Sequence, residues 1–297
     1  MRDPQAEVSA WLDGVEAPLD VTQNHVMAAA CPLTIGIGLQ SKYDPAEVRT
    51  RRPVLRFTEM GEAKCVLGEI RLRMIDTIPL GDEQLCLFET RGSKNYCVPR
   101  ARLWIRYVDQ AYRHWRSERH SEAPKLQMRV GELRSVFAFY ICPRPVVLVS
   151  VVYGGAGNIF PMDLIGPVGA EHFALALHNT SAPLELITQS RQIALSSVPL
   201  DRSSLAFDLG RNHKVRAVDF CNLPFATTAS AAFGLPVPRF ALRVREMQIE
   251  TIREFQSHTL LVARIVTNEF RAEGLQMFHV HGSYQVWRQQ HGRSSTT

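Results

Sequence analysis

Histidine, hydroxyl and acidic side chains gather in a few stretches of this 297-residue chain, and each stretch suggests its own chemistry. His258 sits in Phe255-Gln-Ser-His258-Thr, where the chain turns into an apolar run. An imidazole titrates near neutral pH, so there it can orient a substrate or meet developing charge; it can equally be a turn histidine bonded to a neighbouring strand. Asn179-Thr180-Ser181 precedes Pro183-Leu-Glu-Leu-Ile, in which Ser181 suits a helix N-cap and Pro183 the first helical turn. Hydroxyls in front of a helix N-terminus make a seat for a phosphate. A third stretch, Gly154-Gly155-Ala-Gly157-Asn158-Ile159-Phe160-Pro161-Met162-Asp163, has glycines that let the backbone turn sharply and approach a flat ligand closely. His279 and His281 lie two apart, so on a strand both rings project from one face. A stable metal site needs a third or fourth ligand that local spacing does not supply, so no metal is expected.

Several familiar chemistries are excluded. The chain has no Gly-x-Ser-x-Gly elbow, Walker loop or Rossmann Gly-x-Gly-x-x-Gly, and no nucleophile–base pair supports a hydrolase or transferase. Gly154-Gly-Ala-Gly157 resembles a dinucleotide loop only superficially. Pro161 biases Phe160 away from the helical region, so the helix such a loop requires cannot start cleanly.

The elements that must position these residues read as mainly β. A buried strand over 146–152 leads into the glycine turn, and 172–178 alternates apolar positions as a half-buried strand does. Before them, 8–15 reads as a short helix, 33–39 as a strand and 41–53 as a loop. Residues 65–76 and 84–90 read as strands joined by Thr77-Ile-Pro-Leu-Gly-Asp82. Residues 104–119 carry helical spacing, 121–125 form the best linker, 131–140 read as a buried helix, and 291–297 as a frayed tail. Residues 74–89 also resemble 247–262, allowing small gaps, in a register that sets Glu83 opposite His258; Cys31-Pro-Leu-Thr echoes Cys142-Pro-Arg-Pro. Chance explains such likeness between hairpins, and so does a degenerate half-barrel that has lost the Asn158–Pro161 segment.

Composition narrows the class. Charged residues are 21% and hydrophobic residues 45% of the chain, as in an ordinary globular protein, and the length allows two domains. The net charge of +5 is mild; Arg49, Arg51 and Arg52, and then Arg113, Arg116 and Arg119, read as solvated faces, so no nucleic-acid partner is expected. No window approaches the ~20 apolar residues of a membrane span. The N-terminus shows no apolar signal region, and the six cysteines are widely spaced without a Cys-x-x-Cys, which together lead to an expected cytoplasmic location with no disulfide framework.

Four of these segments, in this order, carry a resemblance: the strand and glycine turn of 142–167, the capped Asn179–Pro183 stretch, Phe255-Gln-Ser-His258-Thr-Leu-Leu-Val, and Phe278-His-Val-His281-Gly-Ser-Tyr-Gln as a closing strand. Over roughly residues 130–287 the chain resembles the flavin reductase-like, FMN-binding split-barrel family. The resemblance implies a mainly β fold, an antiparallel split β-barrel with flanking helices over 126–291; the strands read before it make 1–125 an N-terminal β-rich region, and 292–297 is a tail. It implies an FMN cofactor, with FAD as the alternative, contacted by Asn158, Ile159, Phe160, Pro161, Met162 and Asp163 at the ring, Asn179, Thr180 and Ser181 at the phosphate, and His281. It places His258 where NADH or NADPH would stack, as the residue that orients the nicotinamide while hydride moves to flavin, and it implies a homodimer. Asp163 stands where many members carry Ser or Thr and can accept from a flavin N–H but cannot donate. No lysine precedes the helix, and Gln-Ser replaces Gly-Asp before His258. A non-catalytic flavin-binding or assembly module is the alternative reading.

Overall fold

The structure, a computed structural model, describes residues 7–59, 65–118 and 128–291. The expected linker at 121–125 and the tail beyond His291 lie outside the described residues. By its internal contacts the chain divides into two compact units: Arg144–His279, and the described parts of Arg2–Pro143 with Val280–Thr297. The division therefore falls at 143/144 and 279/280, where the sequence suggested 125/126 and 291/292.

The unit containing the N-terminal region comprises β1 (Val8–Asp13), β2 (Leu19–Asp20), β3 (His25–Ala30), β4 (Leu33–Gln40), α1 (Pro45–Arg51), β5 (Val54–Glu59), β6 (Val66–Leu80), β7 (Glu83–Asn95), α2 (Arg100–Glu118) and α3 (Val130–Phe139). Its strands form one antiparallel sheet in the order β2-β1-β5-β6-β7-β4-β3. Residues 8–13 are a strand and not the expected helix. Val8, Ala10 and Leu12 alternate at 0% exposure while the segment pairs with β5, a period of two that only a strand buries on one face. The expected loop at 41–53 contains α1, started by Asp44, whose Oδ1 accepts from the Ala46 amide at 2.9 Å, and anchored by buried Val48. The turn after β6 contracts to Gly81-Asp82, with Gly81 at φ 68. Helix α2 leaves Arg113 and Arg116 in solvent, as expected. Helix α3 packs on β6 and β7.

The second unit comprises β8 (Arg144–Pro145), β9 (Val147–Tyr153), β10 (Ala156–Met162), β11 (Ile165–Val168), β12 (His172–His178), α4 (Leu184–Ser190), β13 (Gln192–Ser197), α5 (Ser203–Asp208), β14 (Thr227–Ala229), β15 (Pro236–Pro238), β16 (Arg243–Glu254), β17 (His258–Phe270) and β18 (Phe278–His279). Its main antiparallel sheet runs β10-β9-β13-β16-β17-β12-β11 around a core that includes Val149, Phe160, Leu175, Ile187, Met247 and Leu261. Strand β12, paired on both edges, is buried along both faces except at His178, where simple alternation had suggested one face. The closing stretch is a two-residue strand, and a helix, α6 (Gly282–Gln290), follows it in the first unit.

Element by element, the two units share one topology. Taken in chain order, β1–β5 with α1 correspond to β9–β13 with α4, and the hairpin β6–β7 corresponds to β16–β17, with the same sheet order. Helices α1 and α4 are each seven residues long and each is followed by an arginine in the left-handed region, Arg52 at φ 51 and Arg191 at φ 54. Both long hairpins carry two bulges separated by three residue pairs, at Ile75 and Arg91 in one and at Glu250 and Val266 in the other. Aligned on these bulges, Glu83 opens β7 where His258 opens β17. The Cys31/Cys142 echo does not correspond, because Cys31 precedes β4 and Cys142 precedes β9. Two differences matter for function. The hairpin β9–β10 is long, whereas β1–β2 pairs at only Trp11↔Asp20 and Leu12↔Leu19. The connection from β13 to β16 spans 198–242, whereas that from β5 to β6 spans 60–65.

Candidate functional site

The long connection of the second unit folds against β10 and supplies partners that local sequence does not announce. Gly154 and Gly155, at φ 58 and 79, turn the chain from β9 into β10. Asn158 is fully buried, and its Nδ2 donates to the carbonyls of Asn212, Val215 and Arg216 at 3.1, 2.8 and 3.3 Å. Asn212 answers by donating to the Ile159 carbonyl at 2.7 Å, and the Val218 amide donates to the Gly157 carbonyl at 2.8 Å. The Asn158 side chain thus organises the connection, while Ile159, Phe160 and Met162 are buried in the unit and Pro161 and Asp163 are half-buried.

His213 joins this segment to the expected phosphate segment. Its Nε2 lies 2.8 Å from the Pro161 carbonyl and its Nδ1 3.0 Å from Ser181 Oγ, with its ring edge-on to Phe160 at 4.8 Å between centroids. A carbonyl only accepts, so Nε2 carries the proton, and in the neutral ring Nδ1 accepts from the Ser181 hydroxyl. Burial pushes the His213 pKa down, opposed by the Pro161 bond and the Asp163 charge. The helix begins at Leu184, and the side chain of Ser181 serves His213 instead of capping that helix; only its carbonyl accepts from the Leu184 amide, at 3.0 Å. Asn179 ties the turn before β17, donating to the Phe255 carbonyl at 2.8 Å and accepting from Thr259 Oγ1 at 3.0 Å. Thr180 is exposed, with Oγ1 2.7 Å from His178 Nδ1.

Asp163 carries an ion cluster. Its Oδ2 accepts from Arg144 Nη2 at 2.8 Å, Arg144 Nε at 3.2 Å and His279 Nδ1 at 2.6 Å. Burial alone would raise the pKa of Asp163, but the His279 hydrogen bond and the Arg144 charge outweigh it and hold the carboxyl well below the usual range. Strand pairing of His279 with Arg144 brings both side chains to one carboxylate.

His258 opens β17, directly across from His178, with ring centroids 5.1 Å apart and Nδ1 2.8 Å from Ser257 Oγ. Burial first, and the His178 charge second, push its pKa down to about 4, so the ring is neutral at ordinary pH and not poised near it. His281 is not on a strand beside His279. It is the N-cap of α6 in the other unit, its Nδ1 accepting from the Ser283 amide at 3.3 Å, with Phe137 and Tyr140 rings 4.9 and 5.7 Å away. The strand ends at His279, so the shared face required for a histidine pair does not form.

The residues that sequence reasoning missed are His213, Asn212, Arg144 and His279 as partners of the expected set. No local motif marks the first two; Arg144 lies in the Cys-Pro-Arg-Pro stretch, and only pairing across β18 reveals its role. The donor set fits a flavin. Asp163 offers a carboxylate acceptor beside the Arg144 guanidinium, as a ring edge bearing an N–H and carbonyls requires, and Thr180 and Ser181 set two hydroxyls on the turn expected to meet the phosphate, that of Ser181 engaged by His213.

The flavin reductase like domain family model matches residues 139–288, which includes the whole Arg144–His279 unit. Among solved structures, an FMN-binding protein from Thermus thermophilus with bound p-hydroxybenzaldehyde is 18% identical over 55% of this chain and 90% of that one, with a TM-score of 0.41. The NADH:FAD oxidoreductase of Streptomyces globisporus C-1027 is 18% identical over 53% and 92%, at 0.44. The styrene monooxygenase flavin reductase of Pseudomonas putida S12 is 18% identical over 48% and 94%, at 0.40. No curated protein matches the chain.

Proposed function

The chain belongs to the flavin reductase like domain family, and from that premise we propose that its Arg144–His279 unit binds FMN and accepts hydride on it from NADH or NADPH. The observation that carries the reading is the convergence of the family match with one cross-linked cluster, in which His213 ties Pro161 to Ser181. When bound, the flavin supplies the two-electron chemistry. The chain's own residues hold and orient it: Pro161–Asp163 along the ring edge, and Thr180 and Ser181 at the phosphate. Arg144 and His279 keep Asp163 ionised, so it serves as an acceptor throughout the working range. His258, neutral, acts by position and hydrogen bonding and not as a proton source. FAD in place of FMN, assembly as a homodimer and a cytoplasmic location belong to the same proposal.

The visible spectrum of freshly purified protein, before and after NADH or NADPH, tests it. Oxidised-flavin absorbance that bleaches on adding nicotinamide supports the reading. Calorimetry in which saturating FMN does not bind the folded protein overturns it. The burial of His258, 7% exposed, favours one alternative, a non-catalytic flavin-binding module. Firm FMN binding without reduction by either nicotinamide selects that alternative.

A further inference from the structure

The turn that holds the phosphate side of the candidate site, Asn179-Thr180-Ser181-Ala182-Pro183, contains no cationic side chain. Two imidazoles touch it, His178 with Nδ1 2.7 Å from Thr180 Oγ1 and His213 with Nδ1 3.0 Å from Ser181 Oγ, and the two nitrogens of His213 are not equivalent. Nε2–H is committed to the Pro161 carbonyl at 2.8 Å, so any change of protonation falls on Nδ1, 3.0 Å from Ser181 Oγ. With the ring neutral, Nδ1 accepts and the Ser181 hydroxyl hydrogen points into the protein. With the ring protonated, Nδ1–H donates to Ser181 Oγ, and the hydroxyl hydrogen must turn to another acceptor.

We propose that His213 and Ser181 form a proton-gated seat for a phosphate monoester: docking of the phosphate draws a proton onto His213, which releases the Ser181 hydroxyl to donate to a phosphate oxygen. The proposal rests on the flavin-binding reading and adds a regulation to it. The proton comes from solvent and no covalent bond changes. The segment is held rigidly enough for the switch to be local. The His213 carbonyl accepts from the Ala182 amide at 2.9 Å, Asn212 is bonded to the Ile159 carbonyl, and Asn158 clamps three carbonyls of 212–216. The charged groups around the ring are Asp163 after β10, itself held by Arg144 and His279; the Glu185–Arg216 pair at 3.2 Å, from α4 and the same connection; and exposed Lys214 and Arg211 on the connection. Asp163 favours the charged ring, while burial disfavours it until an anion docks. A phosphate beside Ser181 supplies that anion.

Two measurements decide the matter. Nitrogen-15 NMR of the flavin-free protein should show His213 as the Nε2-protonated neutral tautomer at pH 8; an Nδ1-protonated tautomer overturns the proposal. Dissociation constants for FMN and riboflavin are then measured between pH 5.5 and 8.5 in the wild type, His213→Gln and Ser181→Ala. Uptake of one proton tightens wild-type FMN binding by up to about tenfold per pH unit as pH falls, with riboflavin unchanged. The ligand phosphate has its own second pKa near ~6, which acts alike in all three proteins, so the expected result is a steeper slope in the wild type than in either variant. Using two variants keeps the comparison available if one fails to fold. Equal slopes in wild type and a folded variant overturn the gating while leaving flavin binding intact. Failure of both FMN and riboflavin to bind overturns the flavin reading and the proposal with it.

Discussion

Replacing Asp163 by Asn separates the clamping role of this residue from its role toward a ligand. The substitution leaves an amide oxygen that can still accept one bond, but removes the charge that balances Arg144. The Arg144 side chain is 8% exposed and the Asp163 side chain 26%. Breaking a fully buried ion pair costs roughly 3–5 kcal/mol. Partial solvation of the carboxylate and the retained acceptor reduce this, so a loss of about 2–3 kcal/mol at pH 7 is expected. The sign with pH follows from the depressed folded pKa of Asp163. Its stabilisation is fully present above the unfolded pKa of about 4 and is lost as pH falls towards the folded value. Between pH 5 and pH 3 the unfolded carboxyl protonates while the folded one does not, so the gap between wild type and Asp163→Asn narrows by about 1 kcal/mol. Urea unfolding of both proteins at pH 7, 5 and 3 measures this, because the other carboxylates cancel in the difference. A gap below about 0.5 kcal/mol at pH 7, the scale of an exposed ion pair, or one that does not change with pH, refutes the reasoning.

Glu246, fully buried, accepts from Ser230 Oγ and from the amides of Ala232 and Phe233 at 2.5, 2.7 and 2.6 Å, and from Thr267 Oγ1 at 2.8 Å. Glu246→Gln turns an NH₂ towards one of those amides, so a loss of about 3 kcal/mol is expected, with faster hydrogen exchange at 230–235; unchanged exchange there counts against it. His258→Ala should leave the FMN dissociation constant nearly unchanged and slow flavin reduction by roughly tenfold to a hundredfold, read by stopped-flow bleaching. Since the His258 pKa is about 4, the wild-type rate should show no inflection from this residue between pH 5 and 8, and an inflection lost only in the mutant would contradict the neutral role. Protein saturated with FMN and desalted should hold one flavin per chain, because β1–β2 lacks the long arm of β9–β10 that carries Asn158; two per chain contradicts this.

Much of the secondary structure was legible locally. The strand at 172–178, the glycine turn at 154–155 and the helices at 100–118 and 130–139 follow from apolar period, turn residues and helical spacing, which act over a few residues. The likeness of 74–89 to 247–262 was also legible, down to Glu83 standing where His258 stands. The segment at 8–13 was misread because a strand of six residues and a short helix share a composition, and pairing with β5 decides between them. His281 was misplaced for a similar reason: nothing in Phe-His-Val-His tells where a strand ends and a capped helix begins.

The sequence by itself determined the family, through short segments whose turn chemistry and order survive in one dimension. It also determined which side chains are chemically capable. Only the tertiary structure decided how those side chains are spent. Ser181 meets His213 across 32 positions, Asp163 meets His279 across 116, and Asn158 reaches carbonyls 54 to 58 residues away. Hydrogen bonds and charges act over a few ångströms of space whatever the separation along the chain. The protonation state of His258 and the commitment of the Ser181 hydroxyl therefore become fixed only when the sheet pairs His178 with His258 and the 198–242 connection folds onto β10.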